Sequence, residues 1–145
     1  IKDAWVFTVD ERSISAAIVI DYDNVGRWAS FRRIYFSTFS ELASTPEVYD
    51  LIEAEVGIIN RGVPEPLRIR RFVNFPREFE PEMGEVTRIM GIRRSYIAES
   101  YNPILSAIKK DEGEVALEIP MRQGDGSISP VKTVLKIRTI GGTAP

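Results

Sequence analysis

The chain has no cysteine and no histidine. Without cysteine there are no disulfides, no thiolate nucleophiles and no cysteine zinc sites, and a reducing cytoplasm is allowed. Without histidine the commonest general base and metal ligand are missing, together with every Ser-His-Asp arrangement. Any chemistry has to use carboxylates, lysine, arginine or hydroxyl groups. No apolar run reaches the roughly eighteen residues of a membrane span, and no basic-then-apolar leader opens the chain, so neither a span nor a signal peptide is predicted. The first residue is Ile1 rather than Met, which predicts a segment cut from a longer protein. None of the ten glycines sits in a P-loop or a G-x-G-x-x-G pattern, so no phosphate-cradling loop of those kinds is encoded. Nineteen basic residues against twenty-one acidic ones leave a net charge of −2, which supplies no electrostatic reason to expect nucleic acid or an anionic membrane as partner.

What remains is a chain of 145 residues, 43% apolar, enough to bury one core as a single domain over residues 1–145. Ala4–Val9 and Ser15–Ile20 are short runs rich in β-branched and aromatic residues with a polar break between them, and read as a β-hairpin. Thr38 and Glu41 have capping-box spacing and predict a short helical turn. Thr45 and Pro46 supply an N-cap and a first-turn proline, after which Val48, Leu51, Ile52, Val56 and Ile59 fall on one helical face over 46–60. Ile69–Phe75 reads as a strand ending at Pro76. Ile97, Tyr101, Ile104, Leu105 and Ile108 keep helical spacing, but Pro103 predicts a break, with Asn102 placed to cap a second helix. Val115, Leu117 and Ile119, then Val131, Thr133, Leu135 and Ile137, alternate around a turn at 123–126 and read as a second hairpin. Strands and helices interleave without a regular βαβ period. The expected class is α+β, a small mixed sheet with hairpins and short helices.

Two features invite a chemical reading. The acidic stretch from Glu78 to Glu85 carries Pro81 and Gly84 and reads as an exposed, solvated loop; it lacks the Asp/Asn and Gly spacing of a calcium loop, so no metal site is expected. Arg68, Arg70 and Arg71 lie on a predicted strand, whereas Arg88, Arg93 and Arg94 sit at a loop-to-helix junction, where guanidinium forks and backbone donors suit phosphate or carboxylate recognition. Arg93 and Arg94 open a predicted helix, a position the helix dipole disfavours for cations, which hints at an anionic partner. Solvated arginines paired with nearby glutamates are the plainer alternative. The Thr87 hydroxyl is equally suited to contact a phosphate or to cap local backbone. Trp28, Tyr96 and Tyr101 are read as packing residues, with Trp28 and Tyr101 anchoring helices to the sheet.

Pro76-x-x-Phe79 followed by Glu85-Val86-Thr87-Arg88-Ile89-Met90-Gly91-Ile92-Arg93-Arg94, then Tyr96, Ile97 and Tyr101, resembles the C-terminal signature of long-chain acyl-CoA synthetases of the AMP-forming, adenylate-forming superfamily. Ile1-Lys2-Asp3-Ala4, the first hairpin up to Asp21, and Val25-Gly26-Arg27-Trp28-Ala29 are similar to an earlier stretch of the same family. The resemblance covers most of the chain through Tyr101; the hairpin within 112–140 looks like an extra C-terminal element.

The resemblance implies the C-terminal lid domain of a two-step ligase, in which ATP and a fatty acid give an acyl-adenylate and pyrophosphate, and CoA then displaces AMP. It implies a partner in the N-terminal AMP-binding domain of the same chain, which would hold ATP, Mg and the fatty acid; the lid itself would carry no cofactor or metal and would be inactive alone. The parent would be cytoplasmic, with any membrane contact peripheral. On the lid, Thr87, Arg93 and Arg94 are implied to approach nucleotide or CoA phosphates. The family places a catalytic lysine at the position of Gly91. Loss of one preorganised donor to a developing oxyanion costs about 10²–10³ in rate, so Arg88 is the candidate substitute. A lid of the same fold with impaired catalysis and a regulatory or scaffolding role, and an independent anion- or protein-binding module, are the two other expectations.

Overall fold

The computed structural model describes residues 1–10, 13–87, 89 and 91–140. β1 (Asp3–Asp10) and β2 (Ser13–Val19) form the expected hairpin, in register Ala4 with Ile18 and Thr8 with Ile14. The next three elements are helical: α1 (Tyr22–Phe31), α2 (Phe39–Ser44) and α3 (Pro46–Arg61). They carry the chain across to β3 (Ile69–Asn74), which pairs with β2 in parallel, a geometry that requires such a crossover. A single-turn 3-10 segment at Pro81–Met83 follows, then α4 (Arg94–Ser100) and α5 (Asn102–Lys109). β4 (Glu114–Arg122) and β5 (Ile128–Lys136) make the second hairpin as a separate two-stranded sheet. The short β6 (Arg138–Thr139) closes the main sheet on β3, giving the order β1-β2-β3-β6. The class is α+β, as the sequence pattern predicts.

Both faces of the main sheet are covered, and the strand period of two sorts the residues. Ala16, Ile18 and Phe72 face α1–α3 and pack with Val25, Leu42, Val48, Ile52 and Val56. Ala17, Val19, Val73 and Phe75 face the other way, against Ile97, Tyr101, Ile104 and Ile108 of α4 and α5 and Val115, Leu117, Ile119 and Leu135 of the second hairpin. That hairpin therefore contributes a wall of the core. Full burial of each large aliphatic side chain contributes about 1.5–3 kcal/mol.

Local chemistry explains the helix boundaries. Asp21 caps α1 by accepting from Asn24 N at 3.1 Å, and Thr38 caps α2 by accepting from Glu41 N at 3.1 Å. In the expected capping box Glu41 reaches back one residue further than the motif specifies, to Ser37 N at 2.8 Å. Three expectations need correction. Thr45 occupies the N-cap of α3, but its hydroxyl donates to Leu42 O, so it closes α2 and caps nothing ahead of it. Asn102 is already inside α5, whose N-cap is Tyr101 without a side-chain bond. Ile59 is 52% exposed; the buried stripe of α3 ends on Asn60, whose amide clamps both backbone groups of Ile69 at 2.9 Å and starts β3.

Tyr49 ties the layers together. Its hydroxyl donates to Lys136 O at 2.7 Å and accepts from Asn74 N at 3.1 Å, linking α3, β3 and the end of β5. Burial pushes its pKa up to about 12. Because the folded value lies above the ordinary value of 10.0, the neutral hydroxyl favours the fold below pH 10 and that contribution is lost as pH rises towards 12. Tyr49→Phe is expected to cost about 1–3 kcal/mol in urea unfolding at pH 7, since Asn74 N loses its partner. It should also flatten the fall of stability between about pH 10 and 12 relative to the native chain.

Candidate functional site

The stretch read as a solvated acidic loop is an ion-paired seam. Glu78 accepts from Lys2 at 2.5 Å, and Arg122, at the end of β4, reaches Glu80 at 2.8 Å and Glu82 at 2.7 Å. Phe79 and Met83 point into the core. Gly84, with φ at +79°, adopts the left-handed backbone that glycine tolerates, and a Cβ there would meet the Tyr96 ring at 2.9 Å. This turn sends Glu85 inward to complete burial. Glu78 is thus paired with Lys2, and Glu80 and Glu82 share Arg122; no cluster fit to hold a metal occurs among the described residues.

Glu85 meets Arg77 in a bidentate pair, Nη1 to Oε1 at 2.6 Å and Nη2 to Oε2 at 2.9 Å. Arg77 also donates from Nε to Pro120 O at 2.8 Å, from Nη1 to Glu78 O at 2.9 Å and from Nη2 to the Tyr101 hydroxyl at 3.0 Å. The five guanidinium donors are therefore all used, which is the condition under which a buried arginine is tolerated. The Tyr101 hydroxyl donates to Glu85, and Glu80 N donates to the same carboxylate at 3.1 Å. Burial opposes the Arg77 charge, yet the Glu85 hydrogen bond and charge outweigh it and hold the guanidinium pKa above its usual value. Burial first, and then the Glu85 carboxylate, drive the Tyr101 phenol upward. The group is a fixed ionic base with no spare donor on Arg77.

On this base stands the loop singled out in the sequence. Val86 bridges Ile92, Thr87 N donates to Gly91 O at 2.8 Å and Arg93 N to Glu85 O at 2.9 Å, so the two sides are held together as a narrow hairpin. Its foot is buried at Glu85 and Val86; Thr87, Ile89 and Gly91 are exposed. Exposure thus extends over Thr87, Ile89, Gly91, Arg93 and Arg94, while Glu85 and Val86 are buried. Gly91 N donates to Thr87 Oγ1 at 3.0 Å, so the hydroxyl caps local backbone and the glycine N–H is already engaged. The Gly91 φ lies outside the left-handed region, and among the described residues an added Cβ would meet only Thr87 Oγ1, at 3.2 Å. A side chain therefore fits there with a small turn of Thr87. Arg88 lies outside the described residues.

Arg93 and Arg94 flank the start of α4. Arg93 donates to Gly84 O at 3.0 Å and lies 5.1 Å from the centroid of the Tyr96 ring; Arg94 donates to Val6 O at 3.1 Å. Both are exposed, and neither pairs with a carboxylate among the described residues. The pairing of these two arginines with nearby glutamates, the plainer alternative, is not found there. The structure brings Thr87, Gly91, Arg93 and Arg94 onto one projecting element. Sequence reasoning missed Arg77 and Glu85; the available signal was an arginine just after the strand and a glutamate directly before an apolar Val86, a poor composition for a solvated loop. Tyr101 anchors α5 to the sheet, as its type and place suggest, while Trp28 is only half-buried and lies under Arg32 at 4.6 Å.

An α+β domain that mounts a basic loop on a buried ion pair can present cations to an anion. A putative fatty-acid–CoA ligase of Mycobacterium tuberculosis, fadD11, is 32% identical to the chain over 98 residues, which cover 68% of this chain and 17% of the ligase. The long-chain-fatty-acid–CoA ligase FadD15 of the same organism is 29% identical over 100 residues, with the same coverage of 68% and 17%. No family model matches, and no solved structure matches. The chain is a relative of fatty-acid–CoA ligases, similar to a domain-sized part of them. No helix among the described residues is long and apolar enough to cross a membrane.

Glu85→Ala would leave the Arg77 guanidinium charged and without its carboxylate inside the core. A loss of about 3–5 kcal/mol is expected by chemical denaturation, against less than about 0.5 kcal/mol for Arg94→Ala at the exposed end of the same element. Equal losses for the two would show that the seam is not the base of the loop.

Proposed function

We propose that this chain is the lid domain of an AMP-forming fatty-acid–CoA ligase that converts ATP, fatty acid and CoA to acyl-CoA, AMP and pyrophosphate. The reading rests above all on the exposed Thr87–Arg94 element, with Arg93 and Arg94 free of carboxylate partners among the described residues, in a chain similar to 17% of the length of ligases. Alone the domain is inactive, because ATP, Mg and the acyl chain would be held by an N-terminal AMP-binding domain of the same protein. The ligase would be cytoplasmic, with any membrane contact peripheral.

In this reading Thr87, Arg93 and Arg94 approach the phosphates of the nucleotide or of CoA as the lid swings between an adenylating and a thioester-forming pose. Arg93 and Arg94 bring fixed positive charge on a rigid base, so little reorganisation is needed as charge builds on the substrate. A second reading, a catalytically impaired lid with a regulatory role, is favoured by one observation: Gly91 supplies no cation and its N–H is taken by Thr87. Arg88 is the residue that would restore the missing charge.

Gly91→Lys in the full-length protein separates the two. The site accepts a Cβ, so the variant is expected to fold and to raise the adenylation rate about 10²-fold, mainly in kcat, measured by ATP–pyrophosphate exchange. Thioester formation from preformed acyl-adenylate should change little. If Arg88 already substitutes, the gain shrinks and Arg88→Ala costs about 10²–10³-fold in the same exchange. No change in either variant would remove this loop from the adenylation step.

A further inference from the structure

A second basic site lies in a cleft of about 590 Å³ between the C-terminal ends of α3 and α5 and the start of β3. None of its lining residues belongs to the Thr87–Arg94 element or its ionic base. Its apolar floor includes Ile69, Ile108 and Ile140, and its cationic side chains are Arg61, Arg68, Arg70, Arg71 and Lys109. Among the described residues two lining carboxylates, Glu65 and Asp111, stand against these five cations, in a chain whose net charge is −2.

The pairing within the cleft is incomplete. Arg71 is committed to Asp111 and to Ile108 O. Arg70 meets Glu65 at 3.6 Å, both side chains being largely exposed, a pair of little strength. Arg68 uses Nε on Val63 O at 3.1 Å, and among the described residues its two terminal nitrogens have no partner. Arg61 and Lys109 make no ion pair among the described residues. Each helix C-terminus contributes roughly half a negative charge, so α3 and α5 together offset about one of the three excess positive charges. Among the described residues about two remain, facing one concavity of the size of a small-molecule site.

We infer that this cleft binds a small anion carrying a pyrophosphate group, with the apolar floor available to whatever the phosphates are attached to. A monocarboxylate brings one negative charge and would leave the cations unmatched, whereas a pyrophosphate group spans several guanidinium forks at once. The inference is independent of the ligase reading, because the two basic sites share no residue.

The test is titration of the 145-residue chain with inorganic pyrophosphate, read by calorimetry and by backbone amide shifts. At about 50 mM salt a Kd below about 1 mM is expected, with shifts clustered at residues 60–71 and 108–111 rather than at 85–94. Arg61→Ala/Lys109→Ala removes two exposed side chains without ion-pair partners and should weaken binding about tenfold or more. Arg27→Ala/Arg32→Ala removes the same charge elsewhere and should leave it within about twofold. Absence of saturable binding, shifts confined to 85–94, or equal weakening by both double variants would each overturn the cleft as a pyrophosphate site. Tighter binding of a single-stranded oligonucleotide than of pyrophosphate would overturn the small-molecule assignment in favour of nucleic acid.

Discussion

The buried pair of Arg77 and Glu85, completed by the Tyr101 hydroxyl, is the constraint on which the rest of one face depends. A buried ion pair is weak evidence for stability, because desolvation of the two charges offsets much of their attraction. What it supplies here is geometry. Five donors of one guanidinium select five acceptors that belong to the acidic seam, to β4 and to α5, and only one arrangement of those segments satisfies them all. Gly84 is required for the same reason, since its left-handed turn is what brings the Glu85 carboxylate inward.

The exposed loop inherits its position from that base. Glu85 is both the carboxylate of the ion pair and the residue whose carbonyl accepts from Arg93 N, so the foot of the loop and the buried charge share one residue. Rigid mounting suits a group that has to reach an anion in a defined pose, where small displacements weaken electrostatic stabilisation. The same mounting leaves Arg93 and Arg94 at the rim, each holding one backbone carbonyl and keeping its other N–H groups for solvent or a ligand. Basic character recurs at the cleft by Arg61 and Lys109, so a chain of nearly balanced charge carries its positive excess in particular places.

Much of the secondary structure was legible because local rules and burial agree. The first hairpin, α3, β3, the helix break before Pro103 and the second hairpin all follow from apolar period and turn chemistry. The departures come where a tertiary contact outranks the local signal. Ile59 loses the stripe position to Asn60 because the latter's amide satisfies two backbone groups of Ile69. Thr45 turns its hydroxyl to Leu42 O instead of capping α3. α1 carries Gly26 and a chain of polar contacts from Asp21 through Asn24 to Arg27, and its apolar face is short.

By itself the sequence determined the α+β class, the exclusion of cysteine and histidine chemistry, and the motif run that is similar to part of the fatty-acid–CoA ligases. These are properties of composition and of order along the chain, and need no knowledge of what touches what. Only the tertiary structure decided that the acidic stretch is paired, that Glu85 is buried, that the Gly91 N–H is occupied, and that distant arginines share one cleft. A glutamate in water and a glutamate against a buried guanidinium have the same letter. Their difference lies in desolvation and in partners 8 and 16 residues away, which local sequence does not specify.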